Sequence, residues 1–285
     1  MNKIALAIIS FNRPHYLKLV LESLKTNDLE NIDVYFFQDG FKTFNGENVV
    51  EKSLIEESLK VFNDSNIKGE VVTQNYNLAV ALHFDYIERF LFLNKNYEQV
   101  IFFEDDLIIQ PNYISTIKYM FNKYGEVERV GMISAYGANS RNTLESQKQN
   151  KHKLHHMHHN WGFGLTRKFW LKRQPLVDKY LELFCYNKEY RKRDSEAIRS
   201  WLKTQGLLTN ATSQDYIKQQ VTKQLNAIRI TCYPNLGKYI GEKGLHCTPA
   251  LFKKMGFDEQ NLFTEDLEEL EDLTDSLYLK ILNES

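Results

Sequence analysis

The chain has 285 residues, enough for one large α/β domain or two small ones with a sizeable core. Its 36 basic and 37 acidic side chains nearly cancel, so no overall field favours nucleic acid or an anionic membrane, and any anion binding has to be local. The three cysteines, Cys185, Cys232 and Cys247, are widely spaced and fit free thiols in a reducing compartment better than a disulfide framework, so a cytoplasmic location is expected.

Met1 to Ser10 carries one short apolar run without a basic leader and cleavage site, and no apolar stretch approaches the roughly 18 residues of a membrane span. Ile4 to Ile9 reads as a strand that runs into Ser10, Phe11, Asn12, Arg13 and Pro14. Leu17, Val20, Leu21 and Leu24 then recur at helical spacing behind a proline suited to a helix start. Val34 to Phe37 is a second strand, closed by Gln38, Asp39 and Gly40. Val50 to Phe62 is helical, Glu70 to Thr73 is a third strand ending at Gln74 to Asn77, Leu78 to Leu93 is a helix, and Gln99 to Glu104 is the fourth strand. This alternation predicts an α/β fold with a doubly wound, mostly parallel central sheet flanked by helices. Its ligand edge collects Ser10, Asp39, Asn75 and the acids Glu104, Asp105 and Asp106.

Those acids interrupt an apolar run, Val100 to Phe103, which Leu107 to Ile109 resume. Burying even one unpaired carboxylate costs several kcal/mol, so a cation is required. At the carboxyl end of a central strand, where open α/β sheets bind ligands, oxygen donors suit Mg2+ or Mn2+ held through one or two carboxylates and a substrate's phosphates. Pairing with Arg or Lys, or a solvated turn, is the alternative.

The second half is less regular. Val130 to Ser134 is a strand, and the polar, aperiodic stretch Tyr136 to Lys153 reads as a long mobile loop. His155, His156, His158 and His159 read as a polar rim rather than a zinc site, since adjacent pairs cannot all face one ion and no cysteine is near, and His158 or His159 is placed against substrate. Trp161 to Thr166 is a strand whose Gly162 and Gly164 allow a close approach of backbone or ligand. Helical patterns cover Lys168 to Trp201. Ser213 caps a helix with Asp215 in its first turn, where the helix dipole alone accounts for a carboxylate. After the strand Ala227 to Cys232, the glycines and lysines of Tyr233 to Pro249 form either a cationic flap over phosphates or a plain connection. Leu267, Leu270, Leu273, Leu277 and Ile281 make an apolar stripe on an acidic C-terminal helix, which has to pack on the body or on a second copy.

The motifs Ile8 to Pro14, Gln38 to Gly40 and Asn75 to Ala79, in that order, resemble the nucleotide-binding half of GT-A glycosyltransferases. Phe103 to Leu107 resembles, more narrowly, the acidic metal motif of N-acetylglucosaminyltransferase I. Ser134, Ala135, Trp161 to Leu165, Asp215, Cys232 to Pro234, Ile240, Gly241, Lys243, Gly244 and His246 follow the same enzyme in order, from about Lys3 to Phe257. The chain departs from that enzyme in carrying lysines where its basic loop has arginines, and in the unmatched stretch Tyr136 to Asn160. The resemblance implies a GT-A type fold with a nucleotide-sugar-binding half at 1–110, an acceptor-binding and catalytic half at 111–257, and the C-terminal helix at 258–285. It implies an inverting, metal-dependent transfer of a sugar, GlcNAc first, from a UDP-sugar to a hydroxyl of a glycan or glycoconjugate, with Mn2+ or Mg2+ as cofactor. On it, Asp106 binds the metal and Asp215 is the catalytic base. Ser10, Asn12, Arg13, Asp39, Asn75, Glu104, Asp105, Lys243 and His246 bind the nucleotide sugar, with Asp39 accepting from the uracil imide, and His158, His159 and Trp161 face the acceptor. Nucleic acid is not an expected partner, the C-terminal helix either packs on the body or forms a homodimer, and membrane contact would come only through acceptor or partners. A sugar nucleotidyltransferase and a non-catalytic carbohydrate- or protein-binding module on the same fold are the alternatives.

Overall fold

The computed structural model describes residues 3–186, 188–244, 247–267 and 269–284. In the first strand, β1 (Ile4–Ser10), side chains alternate between two faces that are both covered: Ile4, Leu6 and Ile8 enter one apolar core, and Ala5, Ala7 and Ile9 the other. The expected alternation follows. α1 (Pro14–Leu24) leads to β2 (Ile32–Gln38), α2 (Lys52–Asp64) to β3 (Glu70–Thr73), and α3 (Ala79–Arg89), continued by a π-helical turn over Phe90–Asn94, to β4 (Gln99–Glu104). Leu17, Val20, Leu21 and Leu24 are the buried stripe of α1, and Pro14 sits at its start, where its missing N–H costs nothing.

Leu107 to Ile109 does not resume β4. The Asp105–Asp106 turn redirects the chain into a separate strand, β5 (Leu107–Ile109). After α4 (Tyr113–Tyr124) and β6 (Val130–Ser134), the stretch read as a structureless loop contains α5 (Leu144–Gln149) and buries Tyr136, Ala138 and Gln147. The Gln147 amide donates to the carbonyls of Asn142 and Asn261 and accepts from Asn235 N–H, which gives this polar segment a packed interior. β7 (Leu154–His156), β8 (Phe163–Thr166), α6 (Arg167–Phe184), α7 (Ser195–Thr204), α8 (Gln214–Gln224), β9 (Ile228–Cys232), β10 (Gly237–Tyr239), α9 (Pro249–Lys254) and α10 (Asp275–Glu284) complete the chain.

Among the described residues one eight-stranded sheet runs in the order β3-β2-β1-β4-β8-β6-β9-β7, and β10 pairs with β5 in a second, two-stranded sheet. β3, β2, β1 and β4 are parallel, as are β6 and β9, while β8 and β7 run antiparallel to their neighbours. The doubly wound, mostly parallel sheet flanked by helices is therefore present. β8 fits beside β4 because of Gly164 and of Gly162 just before the strand: a Cβ at Gly162, whose φ is +53°, would lie 2.5 Å from Leu107, and one at Gly164 2.5 Å from Phe121.

The C-terminal stripe is only partly helical. α10 begins at Asp275, and Leu267, Leu270 and Leu273 lie in a non-helical strap because its backbone is committed to the body. Phe263 N–H donates to Asn235 O, Glu271 N–H to His152 O, and Tyr124 Oη to Glu271 O at 2.7 Å. Leu270 and Ile281 are buried in the same core as β1 and α4, so this chain covers its own stripe.

Candidate active site

β1 and β4 are parallel neighbours with Ile9 opposite Glu104, so the turn from β1 into α1 rises beside the end of β4. Arg13, the residue before α1, is thereby carried over the acids. Its Nη1 donates to Asp106 Oδ2 at 2.6 Å and its Nη2 to Asp105 Oδ1. The pairing with Arg that the sequence left open is thus present. Burial works against the guanidinium charge, but Asp105, Asp106 and Glu104 together hold its pKa above the usual value. Burial pushes Asp106 up to about 6, with Arg13 acting against it and Asp105 adding to it. Burial, with Asp106 and Asp215 adding to it, likewise pushes Glu104 well above the carboxylate range.

The donor set also suits a hard divalent ion. Asp106 Oδ1 is buried without a hydrogen-bond partner, and all three side chains offer oxygen. Among the described residues no cluster of three metal-ligating side chains forms, so the fit is to an ion held by one or two carboxylates and a ligand's phosphates rather than by a protein cage. The glycine-containing loop lies over these acids: Ile240 N–H donates to Asp106 O, and Lys243 N–H to Tyr16 Oη. A Cβ at Gly241 would sit 2.5 Å from Asp106 Oδ2, so only glycine lets the loop approach this closely. Lys243 is exposed, and His246 lies outside the described residues.

At the nucleotide edge the structure corrects one expectation. Asp39 is saturated within the protein: Oδ1 accepts from Gly40 and Leu78 N–H, and Oδ2 from Ala79 N–H and Asn77 Nδ2. A carboxylate has about four lone-pair sites, so none is left for a base imide. Asp39 braces the turn into α3, where Ala79 holds a φ of +55°, and burial pushes it up to about 7 against the N–H groups of Leu78, Gly40 and Ala79. Beside it Ser10 Oγ and Gln38 Oε1 are buried and unpartnered, while Gln38 Nε2 is spent on the carbonyls of Phe11 and Asp39. Asn12 is half-buried and Asn75 exposed at the same edge.

The remaining residues converge. A cavity of about 120 Å³ is lined by Glu104, His158, His159, Asn160, Trp161, Asp215, Gln219 and Arg229. Ser213 caps α8 as expected, its Oγ accepting from Tyr216 N–H. Asp215 Oδ1 accepts from Asn160 Nδ2 at 3.0 Å and from Gln214 Nε2, and Arg229 Nη1 donates to Asn160 Oδ1 at 2.7 Å. Burial pulls Arg229 down to about 10, with Asp215 supporting its charge, and Nη2 remains unpartnered. Burial keeps His159 neutral, down to about 4, with His158 and Arg229 adding to the effect. Trp161 stacks with His159 at 4.2 Å and with Tyr239 of β10 at 4.0 Å, tying the cavity wall to the loop over the acids. Asn160 and Arg229 escaped the sequence reading, although a charged residue inside the apolar strand Ile228–Cys232 is the same signal that singled out the acids.

No protein-family profile and no curated protein matches the chain. Among solved structures it is similar to the mannosyltransferase PcManGT from Pyrobaculum calidifontis, in complex with GDP-Man and Mn2+. That likeness has 9% identity and a TM-score of 0.46 over 82% of this chain and 55% of the other. It is also similar to S. aureus TarS, with 12% identity and a TM-score of 0.35 over 50% of this chain and 22% of the other. The chain thus spans about half the length of the first and about a fifth of the second.

Proposed function

We propose that the chain is a metal-dependent GT-A glycosyltransferase that moves a sugar from a UDP-sugar, UDP-GlcNAc first, to a hydroxyl of a glycan or glycoconjugate with inversion. The observation that carries this reading is the cavity in which Glu104, next to the acid pair, and Asp215, on a distant helix, meet with His158, His159 and Trp161.

Asp215 is the general base. Its carboxylate is held by Asn160, and Arg229 fixes Asn160 in turn, so an acceptor hydroxyl entering past His158 would meet an oriented acceptor for its proton. Direct attack by that hydroxyl on the anomeric carbon inverts configuration. Ser10 and Gln38 line the base pocket, and Glu104, which lines the cavity, contacts a donor hydroxyl. Asp106, assisted by Asp105, would hold the divalent ion, whose contribution when bound is Lewis-acid neutralisation of the departing diphosphate. Gly241 to Gly244 excludes water from the same place.

The test is release of free nucleotide from a panel of UDP- and GDP-sugars, with Mn2+ or Mg2+ and with chelator, for wild type, Asp106→Asn and Asp215→Asn. Turnover of at least one donor is expected in wild type. Asp106→Asn should lose the metal-dependent part while remaining folded. Wild-type turnover unaffected by chelator, or by both substitutions, would overturn the reading.

A further inference from the structure

Arg13 fills the place in which a divalent ion would bind. Its planar guanidinium bridges the two carboxylates, with Nη2 on Asp105 and Nη1 on Asp106. The two acids are 3% exposed, whereas the Arg13 side chain is 23% exposed and can leave. One group is left over: Asp106 Oδ1 is buried and unpartnered, so Arg13 alone does not satisfy the acids. The loop lies close against the pair, since a Cβ at Gly241 would sit 2.5 Å from Asp106 Oδ2 and one at Gly244 3.4 Å from Arg13 Nη1. A cation that bridges Asp105 Oδ1 and Asp106 Oδ2 has to displace the guanidinium that holds both.

We propose that Arg13 is the resident counter-ion of Asp105 and Asp106 in the nucleotide-free protein, and that a divalent cation takes its place only together with the diphosphate of an incoming nucleotide. The proposal rests on the donor reading above and adds an order of binding to it. Charge balances in the exchange. The acids give up a monovalent guanidinium and gain a divalent ion, and the released guanidinium, tethered at the start of α1, has the diphosphate as its new partner. Without a nucleotide, a free ion has to displace Arg13 with nowhere to send it.

The test is Mn2+ binding, read from the loss of the free-ion electron paramagnetic resonance signal, in wild type alone and with UDP or GDP. Wild type should bind Mn2+ at least about tenfold more tightly with nucleotide than without it. Arg13→Gln, which removes the competing charge, should raise the nucleotide-free affinity by at least about tenfold, as expected for a unit charge within a few ångströms. Arg13→Lys, which keeps a charge, should stay close to wild type. Equal wild-type affinity with and without nucleotide overturns the exchange, as does an Arg13→Gln protein that binds free Mn2+ no better. If Arg13→Gln fails to fold, Arg13→Met, which removes the same charge and keeps an apolar stem over the acids, is read in its place. Nucleotide binding without any Mn2+ uptake overturns the exchange and leaves the donor class standing, whereas no nucleotide binding overturns both.

Discussion

Asp215 sits in a first helical turn, where a carboxylate is stabilised by the dipole alone, so its role has to be separated from that of a cap. Asp215→Asn keeps an oxygen that can accept from Asn160 and should cost at most about 1 kcal/mol in stability. As the base, it should lower kcat by roughly 10² to 10⁴ with nucleotide affinity unchanged; steady-state kinetics alongside calorimetry with UDP separates the two. A second residue-scale consequence concerns pH. His83 is fully buried with Nε2 unpartnered, and burial lowers its pKa from 6.5 to about 3. As pH falls, the unfolded chain takes up this proton first. The stability contributed by neutral His83 is therefore complete above 6.5 and lost as pH falls towards 3. Between pH 7 and 5 the wild type should lose about 2 kcal/mol more than His83→Leu, measured as paired urea titrations. Equal losses would mean that His83 is charged in the folded protein.

α3, α6 and α8 are joined by a buried charge cluster. Glu88 of α3 accepts from Arg173 at 2.6 Å and Trp170 at 3.0 Å on α6, and from Lys218 on α8 at 2.8 Å. Burial works against the Glu88 carboxylate, but Arg173 and Lys218 overcome it and bring the group down to about 2. Lys218 is one turn beyond Asp215, so this cluster also sets where the base stands. Glu88→Gln strands two buried cations and should destabilise by about 3 to 5 kcal/mol, whereas replacing all three charges with apolar residues should restore most of the loss. Chemical denaturation of the single and triple variants measures both. None of this cluster was legible in the sequence, because its members are separated by up to 130 residues and each alone reads as a solvated helix charge. Elements with local signals were legible: β1, β3 and β4 carry unbroken apolar or β-branched runs with polar ends, and Pro14 and Ser213 mark helix starts. The strap before α10 was misread because Leu267, Leu270 and Leu273 keep helical spacing while the carbonyls of Leu270 and Glu271 accept from Lys123 and Tyr124 of α4, and the Glu271 carboxylate accepts from Leu154 N–H of β7. The acids and Asp215 stood out as polar breaks and caps, but Arg13 as their counter-ion and Asn160 as the brace of Asp215 arise only from contacts between distant segments.

On the scale of the whole molecule, the C-terminal strap closes the core that begins at β1. Leu270 and Ile281 are each 1% exposed in it, so Leu270→Ala and Ile281→Ala should each cost about 2 to 5 kcal/mol, a cost more typical of a central helix than of a tail. Thermal melts of the two variants check this, and an unchanged midpoint would make the strap peripheral. The stack of Trp161 with Tyr239 and His159 has an optical consequence. The chain's other tryptophans are remote from the loop: Trp170 is buried against Glu88, and Trp201 is on α7. Any displacement of β10 therefore alters the excited-state surroundings of one indole while leaving the other two unchanged. Emission at the Trp161 end becomes a label-free signal of loop position, readable in a stopped-flow mixing experiment without a substrate analogue.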